Sequence, residues 1–410
     1  MKRCYDTVVV GAGPAGSAMA RDIASQGFRV LLLEEHDAVG RPLHCSGLVT
    51  ARTLELAGVG DGVVRNEIRG AVIHSPGGRE LSIGGDRVYA LAIDRVRLDE
   101  TMAVQAQEAG AELLLGARFL ALEHENGLVR VHAERGGRRT SFLAKLLVGA
   151  DGALSRVAKQ LGVHRPDGMV LGLVAEMRAP GVAKDQVVAF VDQSLAPGWF
   201  AWAIPLGDGR VRVGTGTTNG VKPIDSLRCL HSRFPAYFRN GELRGFAAGG
   251  IPLWAPTRPY GENVLLVGDA ARQVKPTSGG GIYTGLVGAG HAAETAVEAL
   301  KREDFSRAFL SRYHKAFMAD LGDELKRGAD LHRLFASLDN RQLERLLARL
   351  GGDRMRKLIL THGDIDFPSR LFYELVRAAP ALATFICTGL RFPGAWLRWR
   401  RGRRRAGRGS

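Results

Sequence analysis

Four cysteines in 410 residues leave little room for cysteine chemistry. Cys4, Cys45, Cys229 and Cys387 lie far apart and make no CxxC pair. The spacing argues against a disulfide framework and a zinc site, and fits a reducing compartment. Long apolar runs are missing too. A bilayer-spanning helix needs roughly 18–20 uninterrupted apolar residues, and the nearest approach, 378–390, contains Pro380 and runs into Arg391. The apolar run at 8–10 is short and leads straight into glycines, so no secretory leader is expected. There is no internal repeat. Negative charge is in deficit, with 42 acidic against 57 basic residues and a net charge of +15. Eight of the positive charges are arginines within the last twenty residues, so 391–410 reads as a basic tail.

What is plentiful is glycine, 53 residues gathered at particular turns. Such clusters mark places where backbone must come close to something. Residues 6–10 read as an apolar strand, GAGPAG at 11–16 as a turn, 17–26 as a helix and 29–34 as a second strand. In this GxGxxG turn Gly11 lets the strand turn, Gly13 lets backbone approach a pyrophosphate, and Gly16 lets the helix pack, with Ala15 between them. Glu34 ends the second strand, where it can accept a hydrogen bond from a ribose hydroxyl.

A second glycine-rich run, LLVGDAARQVKPTSGGGIYTG, occupies 265–285. Asp269 follows its strand and is placed to hold a polyol hydroxyl. After Pro276, Gly279, Gly280 and Gly281 expose backbone N–H groups at a helix start by Ile282, a partner for negative charge on a reduced flavin ring. VGADGALSRVAK at 148–159 adds another turn after a strand, with Asp151 in it. DRVRLD at 94–99 opens a helix whose Arg95 can meet phosphate. Taken alone, Arg95 reads as a surface charge.

Together these segments resemble the FAD-dependent oxidoreductases of the para-hydroxybenzoate hydroxylase fold, in order and spacing across residues 1–300. The resemblance implies bound FAD and an α/β fold. A Rossmann-type FAD-binding domain (about 1–59, 93–165 and 258–300) would carry an inserted, mostly antiparallel β substrate domain (about 60–92 and 166–257). Helical periodicity from 305 to 350 predicts a C-terminal helical region, 301–390, ahead of the tail.

Two further motifs narrow the family. GRPLHCSGL at 40–48 puts Cys45 and Ser46 just after the second strand. PGWFAWAIPLGDGRVRVGTG at 197–216 carries Phe200, Trp202, Ile204 and Pro205, then Gly214 and Gly216. Both are similar to the geranylgeranyl reductase family, whose substrate-domain motif reads (Tyr/Phe)-x-Trp-x-Phe-Pro…Gly-x-Gly. Phe200 and Ile204 depart from its usual tyrosine and phenylalanine, and Ile204-Pro205 leans toward flavin-dependent halogenases. Phe200, Trp202 and Ile204 are two apart and share a strand face, either plain core or the wall of a lipid-sized cavity. Cys45 reads either as a small buried hydrophobe or as a proton donor in the reacting pocket. His44 beside it reads either as a structural histidine, the commoner role of a lone one, or as a group for acid–base work.

The expected activity is an FAD-dependent reductase that saturates C=C bonds of an isoprenoid chain on a lipid or a prenyl diphosphate. The alternative is a monooxygenase or halogenase working through a flavin hydroperoxide. The electron donor, NAD(P)H or a small iron–sulfur protein, is not visible as a second GxGxxG unit, and no metal site is expected. Trp396, Trp399 and the tail arginines suit an anionic membrane surface. That predicts a cytoplasmic protein, peripheral at the inner face of a membrane, with a prenyl lipid as substrate and no nucleic-acid partner.

Overall fold

The computed structural model describes residues 4–378 other than 44, 164–167, 219 and 240. His44, Cys387, the tryptophans at 396 and 399 and the basic tail therefore lie outside the described residues.

The first sheet has eight strands, one of them the short Tyr260–Gly261, antiparallel to Val264–Leu266 at the edge. Its parallel core runs in the order Val264–Leu266, Arg138–Gly149, Cys4–Val10, Val30–Leu33 and Glu112–Leu114. Ala117–Glu125 and Leu128–Arg135 form an antiparallel meander with Arg138–Gly149. Side chains alternate between the faces: Val9, Leu32, Leu146 and Val148 face one core, and Val8, Val10, Leu31 and Leu33 another. Because both faces are covered, the short strands read as unbroken apolar runs. The helices Pro14–Ala24, Arg95–Glu108 and Ile282–Arg302 cover one face, while the meander and Arg156–Gln160 cover the other. Parallel strands joined by crossover helices put their carboxyl ends along one edge, where ligands bind in such sheets. The glycine turn after Val10 and the run after Leu266 both start from that edge.

The second sheet has seven strands, ordered Arg244–Pro252, Met169–Arg178, Arg210–Thr217, Ala201–Pro205, Gln186–Phe190, Gly70–His74 and Glu80–Gly84. All its pairs are antiparallel except that of Gln186–Phe190 with Gly70–His74. One face packs on the helices Pro223–Arg233 and Pro235–Phe238. The other meets residues of the first sheet's glycine-rich loop.

Segment 60–92 divides in two. Its middle strands join the seven-stranded sheet, whereas Val64–Ile68 and Ala90–Ile93 form a small sheet with Leu48–Val49. Val64–Ile68 carries Arg65, Asn66 and Glu67 and buries only Ile68, so it suits a sheet edge and not a two-sided core.

Beyond 305 the chain is helical: Arg307–Asp320, Gly322–Ser337, Asn340–Leu350, Asp353–His362 and Pro368–Ala378. The expected helical stretch breaks at Asp339, whose side chain caps the next helix at the Gln342 N–H while Gln342 reaches back to the Asp339 N–H. Among the described residues no helix is long and apolar enough to cross a membrane, and no cluster of His, Cys, Asp or Glu could hold a metal ion.

Candidate functional site

The first glycine turn forms an open cradle. Gly11 has φ +99°, and a Cβ there would collide with the carbonyl of Ala150. A Cβ on Gly16 would collide with the Gly11 carbonyl, so helix and strand are in backbone contact. Gly13 differs: a Cβ there would meet nothing within 4 Å. Gly13 is also the N-cap of Pro14–Ala24, and no side chain caps that helix. The positive end of the helix thus faces space that an anion could fill. Ala15 packs its methyl 3.0 Å from where a Gly268 Cβ would sit, joining the two glycine runs. Glu34 is nearly buried, and its Oε2 accepts from the Ala12 N–H at 3.0 Å. Its Oε1 accepts from the His36 N–H at 3.0 Å and lies 2.7 Å from His36 Nδ1. A carboxylate offers about four acceptor sites, which leaves capacity for ribose hydroxyls.

At the other end stands Asp269, in the turn Gly268–Ala271. Its carboxyl is deep in the protein, and burial pushes its pKa up to about 6 against an opposing pull from Arg95. Asp269 nevertheless keeps accessible surface. The two observations agree if it faces an internal cleft. Its Oδ1 is 2.8 Å from where a Gly281 Cβ would lie, and Gly281 caps Ile282–Arg302 without a side-chain bond. Ile282 is half-buried against the first core, and Pro276 is buried under Gly328 of the helix Gly322–Ser337.

Arg95 is not a surface charge. Its side chain is 13% exposed, and its guanidinium forks onto Asp99 at 2.9–3.2 Å. Burial opposes the charge, but Asp99 and Cys45 outweigh it and raise the arginine pKa above its ordinary value. Cys45 is half-buried beside that guanidinium, its sulfur accepting from the Gly47 N–H at 3.4 Å. The Ser46 carbonyl accepts from Arg212 Nη1 at 2.8 Å, and Arg212 is held by Glu176 at 2.9 Å. Arg212 therefore fastens the Cys45 loop to the second sheet.

The aromatic face of that sheet lies against the second glycine run. Trp202 and Ile204 pack with Trp199, Leu206, Leu253 and Val274, while Ala201 and Ala203 face the opposite core. Phe200 is half-buried, 5.1 Å from the Trp199 ring and 5.8 Å from the Trp202 ring, and Pro205 ends the strand buried. Gly214 pairs across the strands with Trp202, and a Cβ on it would reach within 2.5 Å of the indole. A Cβ on Gly216 would strike Trp199 in the same way. The Gly-x-Gly spacing thus makes room for two indoles. Gly279, with φ +71°, brings the loop onto this face: its Cβ would lie 3.3 Å from Trp199 and 3.2 Å from Ile251.

Three residues here were not among the sequence candidates. Trp199 sits one place before the aromatic motif and outside its strand, so no register argument exposes its contact with Gly216. Arg212 lies inside the quoted motif but reads there as an ordinary strand residue. His332 comes from the helix Gly322–Ser337, with its ring 5.1 Å from Trp199, and burial pushes its pKa down to about 4. Nothing local marks His332, because a distant helix delivers it.

The residues suit FAD on structural grounds: an open Gly13 cradle at an uncapped helix, Glu34 with spare acceptor capacity, and a deep carboxyl facing uncapped glycines. Residues 4–213 match the family model described as an FAD binding domain. The chain is 35% identical over 369 residues to digeranylgeranylglycerophospholipid reductase 2 of Methanopyrus kandleri, covering 87% of this chain and 92% of that one. It is 32% identical over 389 residues to digeranylgeranylglycerophospholipid reductase 1 of Methanococcoides burtonii, covering 91% and 93%. The fold matches that of a geranylgeranyl bacteriochlorophyll reductase-like protein from Thermoplasma acidophilum, with a TM-score of 0.83, 24% identity and coverage of 95% and 100%. On these grounds the chain belongs to the geranylgeranyl reductase family of FAD-dependent oxidoreductases.

Proposed function

We propose that this enzyme reduces the C=C bonds of geranylgeranyl chains carried on a glycerophospholipid, with electrons from NAD(P)H or a small iron–sulfur protein. The observation that carries the reading is the contact of Gly279 with Trp199, which sets an apolar aromatic wall directly beside the loop that would hold the flavin ring. The relatives' names favour a lipid over a free prenyl diphosphate.

FAD, when bound and reduced, supplies the hydride for such a reaction. Gly11, Gly13, Ala15, Gly16 and Glu34 would hold its adenosine and pyrophosphate. Asp269, Pro276, Gly279, Gly280, Gly281 and Ile282 would hold its ribityl and ring end, with Cys45, Ser46 and Arg95 close by. Phe200, Trp202, Ile204 and Pro205 would lay the prenyl chain along the site and keep water out. An isolated alkene is unactivated, so alignment and dryness must supply much of the rate. Cys45 would give the proton to the second carbon. Arg95 stands beside the sulfur and would stabilise the negative charge left there.

The test is anaerobic. Reduced protein is mixed with a geranylgeranyl glycerophospholipid or with geranylgeranyl diphosphate, and products are weighed by mass spectrometry. Mass gain in steps of two hydrogens on the phospholipid is expected. Gain only on the diphosphate would reverse the substrate choice, and no flavin oxidation by either would sink the proposal. Substrate-stimulated oxygen uptake would instead favour a hydroperoxide-forming monooxygenase or halogenase.

A further inference from the structure

The three consecutive glycines are divided among three neighbours. Gly279 meets Trp199, Gly281 meets Asp269, and Gly280 meets Lys275. A Cβ on Gly280 would lie 2.8 Å from Lys275 Cε and 3.2 Å from its Nζ. Lys275 also closes the loop through its backbone. Its N–H donates to the Gly280 carbonyl at 3.1 Å, and its carbonyl accepts from the Gly279 N–H at 2.9 Å. The lysine side chain is only 6% exposed, and its Nζ donates to Asp366 Oδ1 at 2.7 Å and to the Ile365 carbonyl at 3.0 Å.

Asp366, 2% exposed, is the hub of this arrangement. Its Oδ2 accepts from Thr50 Oγ1 at 2.6 Å and from Arg52 Nη1 at 3.2 Å. Arg52 reaches Asp364 at 3.3 Å as well. Thr50 follows the strand Leu48–Val49, a few residues after Cys45. One carboxylate from the C-terminal helical region therefore ties down both segments that border the ring end of the site.

Burying an ammonium and a carboxylate is costly, and such a pair adds little net stability over an apolar one. Loop closure alone would need only the Lys275 backbone. The charge has to be explained by something else, and it lies directly beneath the loop that would face the flavin ring. We propose that Lys275 is a positioning residue: its bond to Asp366 seats the 275–281 turn, and the charge balance of the pair tunes the equilibrium between oxidised and reduced flavin. The C-terminal helical region is then part of the flavin site. The proposal rests on the FAD reading of the site but not on the identity of the prenyl substrate.

Full-length FAD-loaded protein tests it without any lipid. The midpoint potential is measured by anaerobic dye equilibration for wild type, Lys275→Met, Asp366→Asn and the double variant. Wild-type FAD uptake is measured first, and its absence would count against the site as a whole. Asp366→Asn leaves the ammonium unbalanced, favours the negatively charged reduced flavin, and raises the potential. Lys275→Met leaves excess negative charge and lowers it. The double variant returns to near the wild-type value. A purely structural contact would weaken FAD binding in all three variants without opposite shifts. Unchanged potentials, or single variants that move the same way, would overturn the proposal. If a single variant fails to hold FAD, amide hydrogen exchange at Gly279, Gly280 and Gly281 is compared in the FAD-free proteins. Faster exchange in Asp366→Asn than in wild type supports the seating role, and equal protection overturns it.

Discussion

At the scale of single residues, Cys45 and Asp269 carry the sharpest expectations. Cys45→Ser keeps the size and the Gly47 contact but is a far weaker acid. General acid catalysis contributes roughly 10²–10⁴-fold, so alkene reduction should fall by about a hundredfold while FAD content stays unchanged. Equal turnover in single-turnover flavin oxidation would remove Cys45 from the chemistry. Asp269 bears on pH. Burial raises its carboxyl pKa from the ordinary carboxylate range to about 6 in the folded protein. A raised acid favours folding while protonated, and that contribution is lost as pH climbs from about 4 through 6. The FAD-free wild type should therefore lose thermal stability relative to Asp269→Asn across that window. A pH-independent difference in Tm would refute the assignment. The turn at Gly11 and the close packing at Gly16 were legible in the sequence because they follow from spacing within one strand–turn–helix unit. Arg212 and Lys275 were not, since each acts on a partner that only tertiary folding brings near: Ser46 for one, Asp366 for the other. The burial of Arg95 was not legible, because nothing in DRVRLD shows that Cys45 arrives beside it.

At the scale of elements, the strand pair Ala201–Pro205 and Arg210–Thr217 explains a motif that composition cannot. Gly214 stands opposite Trp202 and Gly216 lies against the Trp199 ring, and each position lacks room for one more carbon. Gly214→Ala should destabilise the protein by about 1–3 kcal/mol, the usual cost of overpacking a core. Denaturant titration checks this, with Gly60→Ala as the control for backbone freedom, since Gly60 is extended at φ −76° and a Cβ there meets nothing within 4 Å. Equal costs at the two positions would mean that packing against Trp202 is not the cause. The period-two alternation of this strand was readable in advance, and it correctly put Phe200, Trp202 and Ile204 on one side. What it could not give was the opposing surface. That surface is Val274, Leu253 and the Gly279 loop, from a segment about seventy residues further on. The split of 60–92 between two sheets escaped the sequence for a related reason. No strand pattern there names its partner, and only tertiary folding decides which sheet each joins.

At the scale of the whole molecule, the basic tail bears on how the proposed lipid substrate would be reached. The described residues include no membrane-crossing helix, yet a phospholipid substrate with four-isoprene chains resides in a bilayer. If the proposed phospholipid is the substrate, the enzyme would meet the surface from one side and draw the chain toward the aromatic face. The eight arginines of 391–410, interleaved with Trp396 and Trp399, are suited to that task. Each basic residue near an anionic surface contributes about 1 kcal/mol, and the attraction decays within a Debye length. Full-length protein should bind vesicles containing anionic lipid at low ionic strength and release as salt rises, whereas protein ending before Arg391 should bind weakly at any salt. Neutral vesicles should bind neither form well. Cosedimentation at several salt concentrations reads all of this directly. The same truncation separates docking from chemistry, because a detergent-dispersed substrate needs no bilayer to be found. Turnover of dispersed lipid should survive the truncation, while turnover of lipid in vesicles should fall in step with binding. If both rates fall together, the tail belongs to the folding of the body and not to the approach to the membrane.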